Sequence, residues 1–222
     1  EMNILIVGAS RGIGLEFVRQ YRADGANVTA TARDDAGLER LKALGATALR
    51  LDVVDAASAA GLAWQIDGAQ FDVAVVNAGV SGVRVAALEP PTEENFDAVM
   101  RTNVLGPMRV IAQIADALAP GAKLALLSSR MGSIGSRTSA TSWLYRASKA
   151  AANSVLKDTA LALGARAACV ALHPGWVRTD MGGAGADIDV ATSVAGMRNV
   201  IATLRPSETG AYRNYDGEKI PW

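Results

Sequence analysis

Short runs of hydrophobic residues recur along the chain and alternate with longer segments that have helical spacing. The runs are nearly continuous in hydrophobicity, which is typical of strands buried on both faces of a parallel sheet. The predicted strands are Ile4–Val7, Val28–Ala32, Thr47–Leu51, Val73–Val76, Lys123–Leu127 and Ala168–Leu172. The predicted helices are Ile13–Ala23, Leu38–Leu44, Asp55–Ile66, Glu93–Ala117 and Ser142–Leu163.

Glycine and proline separate these elements. Repeated βα units imply right-handed crossovers with helices on both faces of the sheet, so we expect a Rossmann-like, doubly wound α/β fold. No repeat or linker interrupts the pattern, and residues 1–222 are predicted to form a single domain. Ligands in such sheets bind beyond the carboxyl ends of the strands. The predicted turn residues are Gly25, Gly45, Gly79, Pro120-Gly121, Gly164 and Pro174-Gly175.

The charge balance and the cysteine count argue against several classes of protein. Lys and Arg number 22, as do Asp and Glu, so no net charge draws the chain to nucleic acid or to an anionic membrane. The single cysteine, Cys169, excludes an internal disulfide, and with only one histidine a zinc site is not expected. No apolar run reaches the roughly 18 residues that a membrane span needs, and we expect no signal peptide before the first strand. We therefore expect a cytoplasmic protein.

A glycine-rich turn follows the first predicted strand. Residues Gly8-Ala9-Ser10-Arg11-Gly12-Ile13-Gly14 have the spacing Gly-x3-Gly-x-Gly and lead into a helix. Gly8 permits a tight exit from the strand, Gly12 lets the backbone approach a pyrophosphate, and Gly14 allows close helix packing. The helix amino end offers N–H groups and a positive dipole to the anion. Such a turn occurs without a ligand too, but after the first strand of repeated βα units it predicts nucleotide binding.

The end of the second strand indicates which nucleotide binds. A carboxylate there would bind the ribose hydroxyls of NAD, and this chain has Ala32 at that position. Arg33 follows, and Arg11 lies in the glycine turn. Two guanidinium groups suit a ribose 2′-phosphate, which they hold by charge-assisted hydrogen bonds. Each arginine alone could be a solvated surface residue. The two arginines and the absence of an acid at position 32 together favour NADP(H) over NAD(H).

A tyrosine and a lysine share one face of the last predicted helix. Tyr145 and Lys149 are four residues apart, so the phenol and the ammonium point the same way. A nearby cation favours the phenolate form of a tyrosine, which otherwise titrates near pH 10. Ser128 and Ser129 end the fifth strand at the same rim and add hydroxyl donors for a carbonyl oxygen. A surface Tyr–Lys pair and turn-capping serines are the structural alternatives.

Together, these and other short motifs resemble those of the short-chain dehydrogenases/reductases of the compact Gly-x3-Gly-x-Gly type. Residues 128–134, 145–149 and 215–222 are similar to the C-factor and sniffer-like carbonyl reductases of that family. The matching pieces span nearly the whole chain: Gly8…Gly12-x-Gly14, Asp52-Val53, Asn77-Ala78-Gly79, Asn103-Val104, Ser128-Ser129, Tyr145-x3-Lys149 and Pro174-Gly175-x3-Thr179.

The resemblance implies an NADPH-dependent carbonyl reductase that transfers a hydride to an aldehyde or ketone. Tyr145 would be the general acid in reduction, and Lys149 would bind the nicotinamide ribose and lower the pKa of the tyrosine. Ser129 would hold the carbonyl oxygen, with Ser133 as the alternative. Asn103 would complete a proton relay through a water molecule on its backbone carbonyl.

The same resemblance implies the cofactor contacts. Asp52 and Val53 would meet the adenine edge, Asn77 would lie near the adenosine ribose, and Thr179 would bond the carboxamide. His173 is expected to be structural. The full set of predicted contacts is Gly8, Ser10, Arg11, Gly12, Ile13, Gly14, Arg33, Asp52, Val53, Asn77, Ala78, Gly79, Tyr145, Lys149, Pro174, Gly175, Val177 and Thr179.

Pro107 stands four residues after Asn103 and has no N–H, so it cannot bond the Asn103 carbonyl in an α-helix. We interpret Pro107 as freeing that carbonyl for the relay water. The alternative is a helix bend adopted for packing, with Gly106 beside it.

The short, glycine-rich stretch 180–186 can cover little of a substrate, so an open site is expected. The long helices 93–117 and 142–163 resemble the pair through which family members form homodimers. Two other functions remain open: a nucleotide-binding signalling or regulatory protein with little turnover, and a nucleotide-sugar epimerase, which the short carboxyl-terminal part disfavours. The residues expected to border the site, each of which could instead be core, are Met131, Ile134, Trp143, Trp176 and Met181.

Overall fold

Seven parallel strands form one sheet in the computed structural model, which describes residues 1–77, 79–179, 183 and 185–222. The strand order is β3-β2-β1-β4-β5-β6-β7, so the chain reverses its direction of travel between β1 and β4. This confirms the predicted doubly wound fold and opens a crevice at the carboxyl ends of those two strands. The strands are β1 (Asn3–Val7), β2 (Asn27–Ala32), β3 (Thr47–Arg50), β4 (Phe71–Val76), β5 (Leu118–Leu127), β6 (Ala167–His173) and β7 (Ala211–Asn214).

Helices connect the strands and cover both faces of the sheet. A π-helix, Arg101–Leu105, joins two of them into one long helical segment, and short 3-10 turns occur at Ala115–Ala117, Arg130–Gly132, Gly164–Arg166 and Pro206–Glu208. The α-helices are α1 (Gly12–Ala23), α2 (Asp35–Ala43), α3 (Ala56–Ala60), α4 (Leu62–Gln65), α5 (Glu93–Met100), α6 (Gly106–Ile114), α7 (Trp143–Leu163) and α8 (Val190–Thr203).

The sheet separates two hydrophobic cores. In β1, Leu5 and Val7 pack into one core with residues of α3, α4, α6 and α7, whereas Ile4 and Ile6 pack into the other with residues of α1, α2 and α8. All four side chains are fully buried. Because successive strand residues point to opposite faces, burial on both faces explains why the strand sequences are continuously hydrophobic.

Two element predictions were wrong in detail, and one strand was not predicted. The helix predicted over Asp55–Ile66 is divided into α3 and α4 at Gly61. Pro120-Gly121 is not a turn before β5 but lies within it, where the register of β5 on β4 shifts between Leu118 and Lys123. Proline is tolerated at such an irregularity because a ladder hydrogen bond is already missing. The sequence pattern missed β7, whose Ala-Tyr-Arg-Asn sequence mixes buried and polar residues at the edge of the sheet.

In the described ranges, no helix combines the length and the hydropathy needed to cross a membrane. Those ranges also contain no group of three or more His, Cys, Asp and Glu side chains able to hold a metal ion.

Candidate active site

The glycine turn between β1 and α1 has the backbone that its sequence predicts. Gly8 and Gly12 have positive φ angles of 83° and 57°, in the region that favours glycine. The N–H of Gly8 donates to Thr31 Oγ1 at 3.0 Å, which anchors the turn on β2. A Cβ atom on Gly14 would lie 2.0 Å from the carbonyl oxygen of Gly8, so α1 can approach the turn only with glycine at this position.

The amino end of α1 has the features of an anion site. Its N-cap residue, Arg11, makes no side-chain hydrogen bond to the first turn, and that turn contains no acidic residue. Unsatisfied N–H groups and the positive end of the helix dipole favour a phosphate at such a position.

A cavity of about 440 Å³ lies along the carboxyl edge of the sheet, beside the glycine turn. The cavity is lined both by predicted cofactor residues and by Tyr145 and Lys149. The predicted residues that line it are Gly8, Ser10, Arg11, Gly12, Ile13, Arg33, Asp52, Val53, Asn77, Gly79, Tyr145, Lys149, Pro174 and Thr179.

Arg11 and Arg33 both line the cavity, as does Ala32 at the end of β2. The two acids that follow Arg33 are used elsewhere. Asp34 caps α2 by accepting from the N–H of Gly37 at 2.8 Å, and Asp35 forms an ion pair with Arg50. The end of β2 therefore presents guanidinium groups and no carboxylate to the cavity, which suits a ribose 2′-phosphate.

The ends of β3 and β4 supply the middle of the cavity wall. Asp52 Oδ1 accepts from the N–H of Val54 at 3.1 Å, which shapes the turn that brings Val53 to the wall. Asn77 Nδ2 donates to the carbonyl oxygen of Gly8 at 2.9 Å and links the β1 and β4 turns. Ala78, also predicted as a cofactor contact, lies outside the described residues.

The Asn103 side chain holds the chain after β4 and does not line the cavity. Its Oδ1 accepts from the N–H of Val80 at 2.8 Å, and its Nδ2 donates to the Val80 carbonyl at 2.9 Å and to Ser148 Oγ at 3.0 Å. This fully buried amide therefore connects the turn after β4 to α7.

Asn103 lies in the middle of the π-helix, and Pro107 follows two residues after that helix ends. The N–H of Gly106 donates to the carbonyl of Arg101, five residues earlier, and α6 follows with Pro107 in its first turn. A π-turn is a usual response to an insertion or a missing donor in the α-helical ladder. The position of this turn agrees with Pro107 freeing the Asn103 carbonyl. It agrees equally with a bend adopted for packing, because a Cβ atom on Gly106 would lie only 2.9 Å from Val53.

Tyr145 and Lys149 lie one turn apart on α7 and both face the cavity. The Nζ of Lys149 lies 5.9 Å from the centre of the Tyr145 ring and donates to the Leu127 carbonyl at 3.4 Å. A Cβ atom on Gly79 would lie 3.1 Å from this Nζ, so glycine at position 79 makes room for the ammonium.

Burial dominates the titration of both groups. It lowers the pKa of Lys149 to about 8. Burial also raises the pKa of Tyr145, while a side-chain hydrogen bond with Ser129 lowers it and the nearby Tyr212 raises it further. Our expectation that Lys149 lowers the pKa of Tyr145 is therefore wrong for the side chains that this protein itself supplies. Burial raises this pKa by more than the hydrogen bond lowers it, and the hydrogen bond comes from Ser129.

The two serines after β5 have different partners. Ser128 Oγ donates to Asn153 Oδ1 at 2.6 Å, whereas Ser129 Oγ accepts from the N–H of Met131 at 3.1 Å and interacts with the Tyr145 phenol. Ser128 lines the cavity and Ser129 is not among the described residues that line it, but the hydrogen bond with the phenol favours Ser129 as the partner of Tyr145. The hydroxyl of Ser133, the alternative, is fully buried and donates to the carbonyl of Pro221.

The segment after β6 closes one side of the cavity. Pro174 and Thr179 line it, Gly175 has a positive φ of 83°, and buried Val177 pairs with Ile188 instead of lining the wall. His173, assigned no catalytic role, has a pKa lowered to about 4 by burial and by the charge of Arg130, so it is neutral at physiological pH.

Large apolar side chains lie exposed in the segments around Ser129, Tyr145 and Thr179. Ile134, Trp143 and Trp176 are 68%, 37% and 55% exposed, so these three are not core, whereas Met131 is half-buried. Met181, also predicted at this border, lies outside the described residues.

Several wall residues were not predicted. Thr31, Val80 and Thr102 line the cavity, and Arg178 adds a third guanidinium. Thr31 also binds the glycine turn. An arginine adjacent to the predicted Thr179 could have been noticed in the sequence, but Val80 and Thr102 carry no chemical signal of their own.

Comparison with known proteins agrees with the geometry. The family model described as short chain dehydrogenase matches residues 2–187. The protein named C-signal from Myxococcus xanthus is 39% identical over 154 residues, which cover 68% of this chain and 92% of the relative.

Solved structures extend the similarity over the whole chain. The carbonyl reductase Sniffer of D. melanogaster has a TM-score of 0.89 and 29% identity, with 100% of both chains covered. A Burkholderia multivorans protein with bound NADP has a TM-score of 0.90 and 32% identity, and the match covers 100% of this chain and 99% of that one. The resemblance predicted from the motifs is confirmed.

Proposed function

Because the chain belongs to the short chain dehydrogenase family, an oxidoreductase family, we propose that it is an NADPH-dependent carbonyl reductase acting on aldehydes or ketones. One observation carries the proposal: Tyr145 and Lys149 share a continuous cavity with the glycine turn and the two arginines at the end of β2. A dinucleotide that spans this cavity reaches from the arginines to the tyrosine.

The described residues fit NADP(H) along the cavity. The uncapped amino end of α1 would hold the pyrophosphate, and Arg11 and Arg33 would hold the 2′-phosphate. Lys149 would bond the nicotinamide ribose, and Thr179 the carboxamide. Both the cofactor and the substrate would then bind within one domain spanning residues 1–222.

In the proposed mechanism, Tyr145 donates its phenol proton to the carbonyl oxygen of the substrate while the carbonyl carbon accepts a hydride. The bound NADPH supplies this hydride. Burial raises the pKa of Tyr145, which keeps the phenol protonated and ready to donate at neutral pH. The hydroxyl of Ser129 donates to the same carbonyl oxygen and stabilises its developing charge.

Lys149 and Asn103 would replace the proton that Tyr145 loses. Lys149 would link Tyr145 to the relay water, so that a proton from the relay restores the phenol. The backbone carbonyl of Asn103 would hold the relay water, with Pro107 leaving it without an α-helical N–H donor. Reversing these steps makes Tyr145 the base for alcohol oxidation.

The exposed apolar residues around the site favour broad tolerance for carbonyl compounds. Ile134, Trp143 and Trp176 offer apolar contact without enclosing the substrate. A homodimer through the helical segments 93–117 and 142–163 is part of the same proposal. It is supported by Phe96, Met108 and Leu161, which are 46%, 50% and 71% exposed on α5, α6 and α7.

A signalling or regulatory role is the second candidate, favoured by the likeness to the relative named C-signal. Measuring NADPH oxidation with a panel of aldehydes, ketones and quinones separates the two. We expect turnover with at least one class of carbonyl. Tight NADPH binding without turnover on any member of the panel would contradict the reductase and support the regulatory protein.

A further inference from the structure

The turn that carries Ser128 and Ser129 is held from two elements. The phenol hydroxyl of Tyr212, in β7, donates to the backbone carbonyl of Ser129. The hydroxyl of Ser128 donates to Asn153, which lies on α7 one turn after Lys149. The position of Ser129 relative to Tyr145 is thus set by β7 and α7 as well as by β5.

Tyr212 is itself fixed by the segment 220–222. Its side chain is 3% exposed, and its ring stacks on the ring of Trp222 with centroids 4.9 Å apart and planes inclined by 26°. Its carbonyl accepts from the N–H of Ile220 at 3.0 Å. The ring stack and the backbone hydrogen bond leave the buried side chain of Tyr212 little freedom to turn its hydroxyl away from Ser129.

The same segment is tied to the loop that follows the serines. The carbonyl of Trp222 accepts from the N–H of Ile134 at 2.7 Å, and the carbonyl of Pro221 accepts from the hydroxyl of Ser133. Tyr212 therefore belongs to a strap, residues 212–222, that contacts Ser129, Ser133 and Ile134 in succession.

Tyr212 is not among the described residues that line the cavity. Its hydroxyl contacts the proposed catalytic serine through the Ser129 peptide, and its phenol also interacts with Ser128 and Asn153. Rotation of that peptide would swing the Ser129 hydroxyl away from the Tyr145 phenol. We propose that Tyr212 is a positioning residue, whose hydroxyl fixes the Ser129 peptide and so keeps the serine hydroxyl aimed at the substrate oxygen. This inference rests on the proposed reductase function.

The experiment compares Tyr212→Phe in the natural background and in Ser129→Ala. Tyr212→Phe removes one oxygen atom and keeps the stack on Trp222. We expect kcat to fall roughly tenfold, because small misplacements of reacting groups are costly. The Kd for NADPH should stay within about twofold, since residues outside the cavity add no binding contact. In Ser129→Ala, adding Tyr212→Phe should change kcat by less than about twofold, because groups that act as one unit are not additive.

Tyr21→Phe is the matched control. Tyr21 is also a buried tyrosine, but it lies on α1 with its ring against Arg198, and its loss should leave kcat unchanged in both backgrounds. Should Tyr212→Phe fail to fold, Trp222→Leu removes the ring stack instead. We expect this variant to lower kcat in the natural background and to leave kcat unchanged in Ser129→Ala.

Equal losses of kcat in both backgrounds would overturn the inference, because Tyr212 would then act independently of Ser129. An unchanged kcat in Tyr212→Phe, or a rise in the NADPH Kd without a change in kcat, would overturn it as well. Failure of the reductase function itself has a different signature: the natural protein would show no turnover on any carbonyl tested.

Discussion

The Nζ atom of Lys149 lies 5.9 Å from the centre of the Tyr145 ring, and both side chains line the cavity that begins at the glycine turn. Lys149 is 5% exposed, and its Nζ donates to the carbonyl of Leu127 at 3.4 Å. Such burial of an ammonium opposes folding, because the charge loses its hydration. A buried lysine that lowers the stability of the fold is expected at a position where function requires it.

Replacing Lys149 with methionine should therefore stabilise the protein while abolishing activity. A lysine ordinarily titrates near pH 10.5, and burial lowers the pKa of Lys149 to about 8. Between these values the unfolded chain binds more protons than the folded one, so the contribution of Lys149 to stability rises with pH. At pH 7, Lys149→Met should unfold with a free energy roughly 3 kcal/mol higher than the natural protein.

Urea unfolding of both proteins at several pH values checks this prediction. The difference should be largest below pH 8 and shrink as the pH approaches 10.5. Lys42→Met, which changes an exposed lysine paired with Glu39, is the control and should show no such trend. A methionine variant that is less stable at pH 7 would contradict the prediction.

Arg33→Ala should change the choice of cofactor. Loss of a charge-assisted contact to the 2′-phosphate is expected to raise the Kd for NADPH roughly 10- to 100-fold. The Kd for NADH should stay the same, because NADH has no phosphate at that position. Fluorescence titration with both nucleotides measures the ratio. Arg19→Ala is the control, since Arg19 pairs with Glu16 on α1. An unaltered NADPH-to-NADH ratio in Arg33→Ala would remove the phosphate assignment.

Pro107→Ala tests the role of the π-helix. Alanine supplies the N–H that an α-helix would direct at the Asn103 carbonyl, in competition with the relay water. We expect kcat to fall roughly tenfold, the low end of what acid–base groups contribute, with a shifted pH profile and an unchanged NADPH Kd. Pro206→Ala, in a short 3-10 turn elsewhere, is the control. Unchanged activity and pH dependence would show that the bend serves packing.

The fold and the cofactor end of the site were predictable because their signals are local. A parallel strand buried on both faces must be continuously hydrophobic, and the Gly8, Gly12 and Gly14 spacing follows from backbone geometry. The face shared by Tyr145 and Lys149 follows from helical periodicity alone. Each of these features depends on residues close together in sequence.

Long-range packing determined what the sequence pattern missed. The strand β7 has no continuous apolar run, yet it brings Tyr212 to the carbonyl of Ser129, 83 positions earlier in the chain. The burial that raises the pKa of Tyr145 depends on several elements at once, so helical spacing alone gave the wrong direction. Ser133 was the alternative to Ser129, and nothing in its sequence position indicates that its hydroxyl bonds to Pro221.

Tyr145→Phe tests the central claim, that this phenol protonates the substrate, most directly. NADPH binding, measured by fluorescence, should remain within about threefold of the natural protein, while NADPH oxidation with the best carbonyl substrate should fall by roughly 100- to 10,000-fold, the usual contribution of a general acid. A phenylalanine variant that retained turnover close to that of the natural protein would contradict the account.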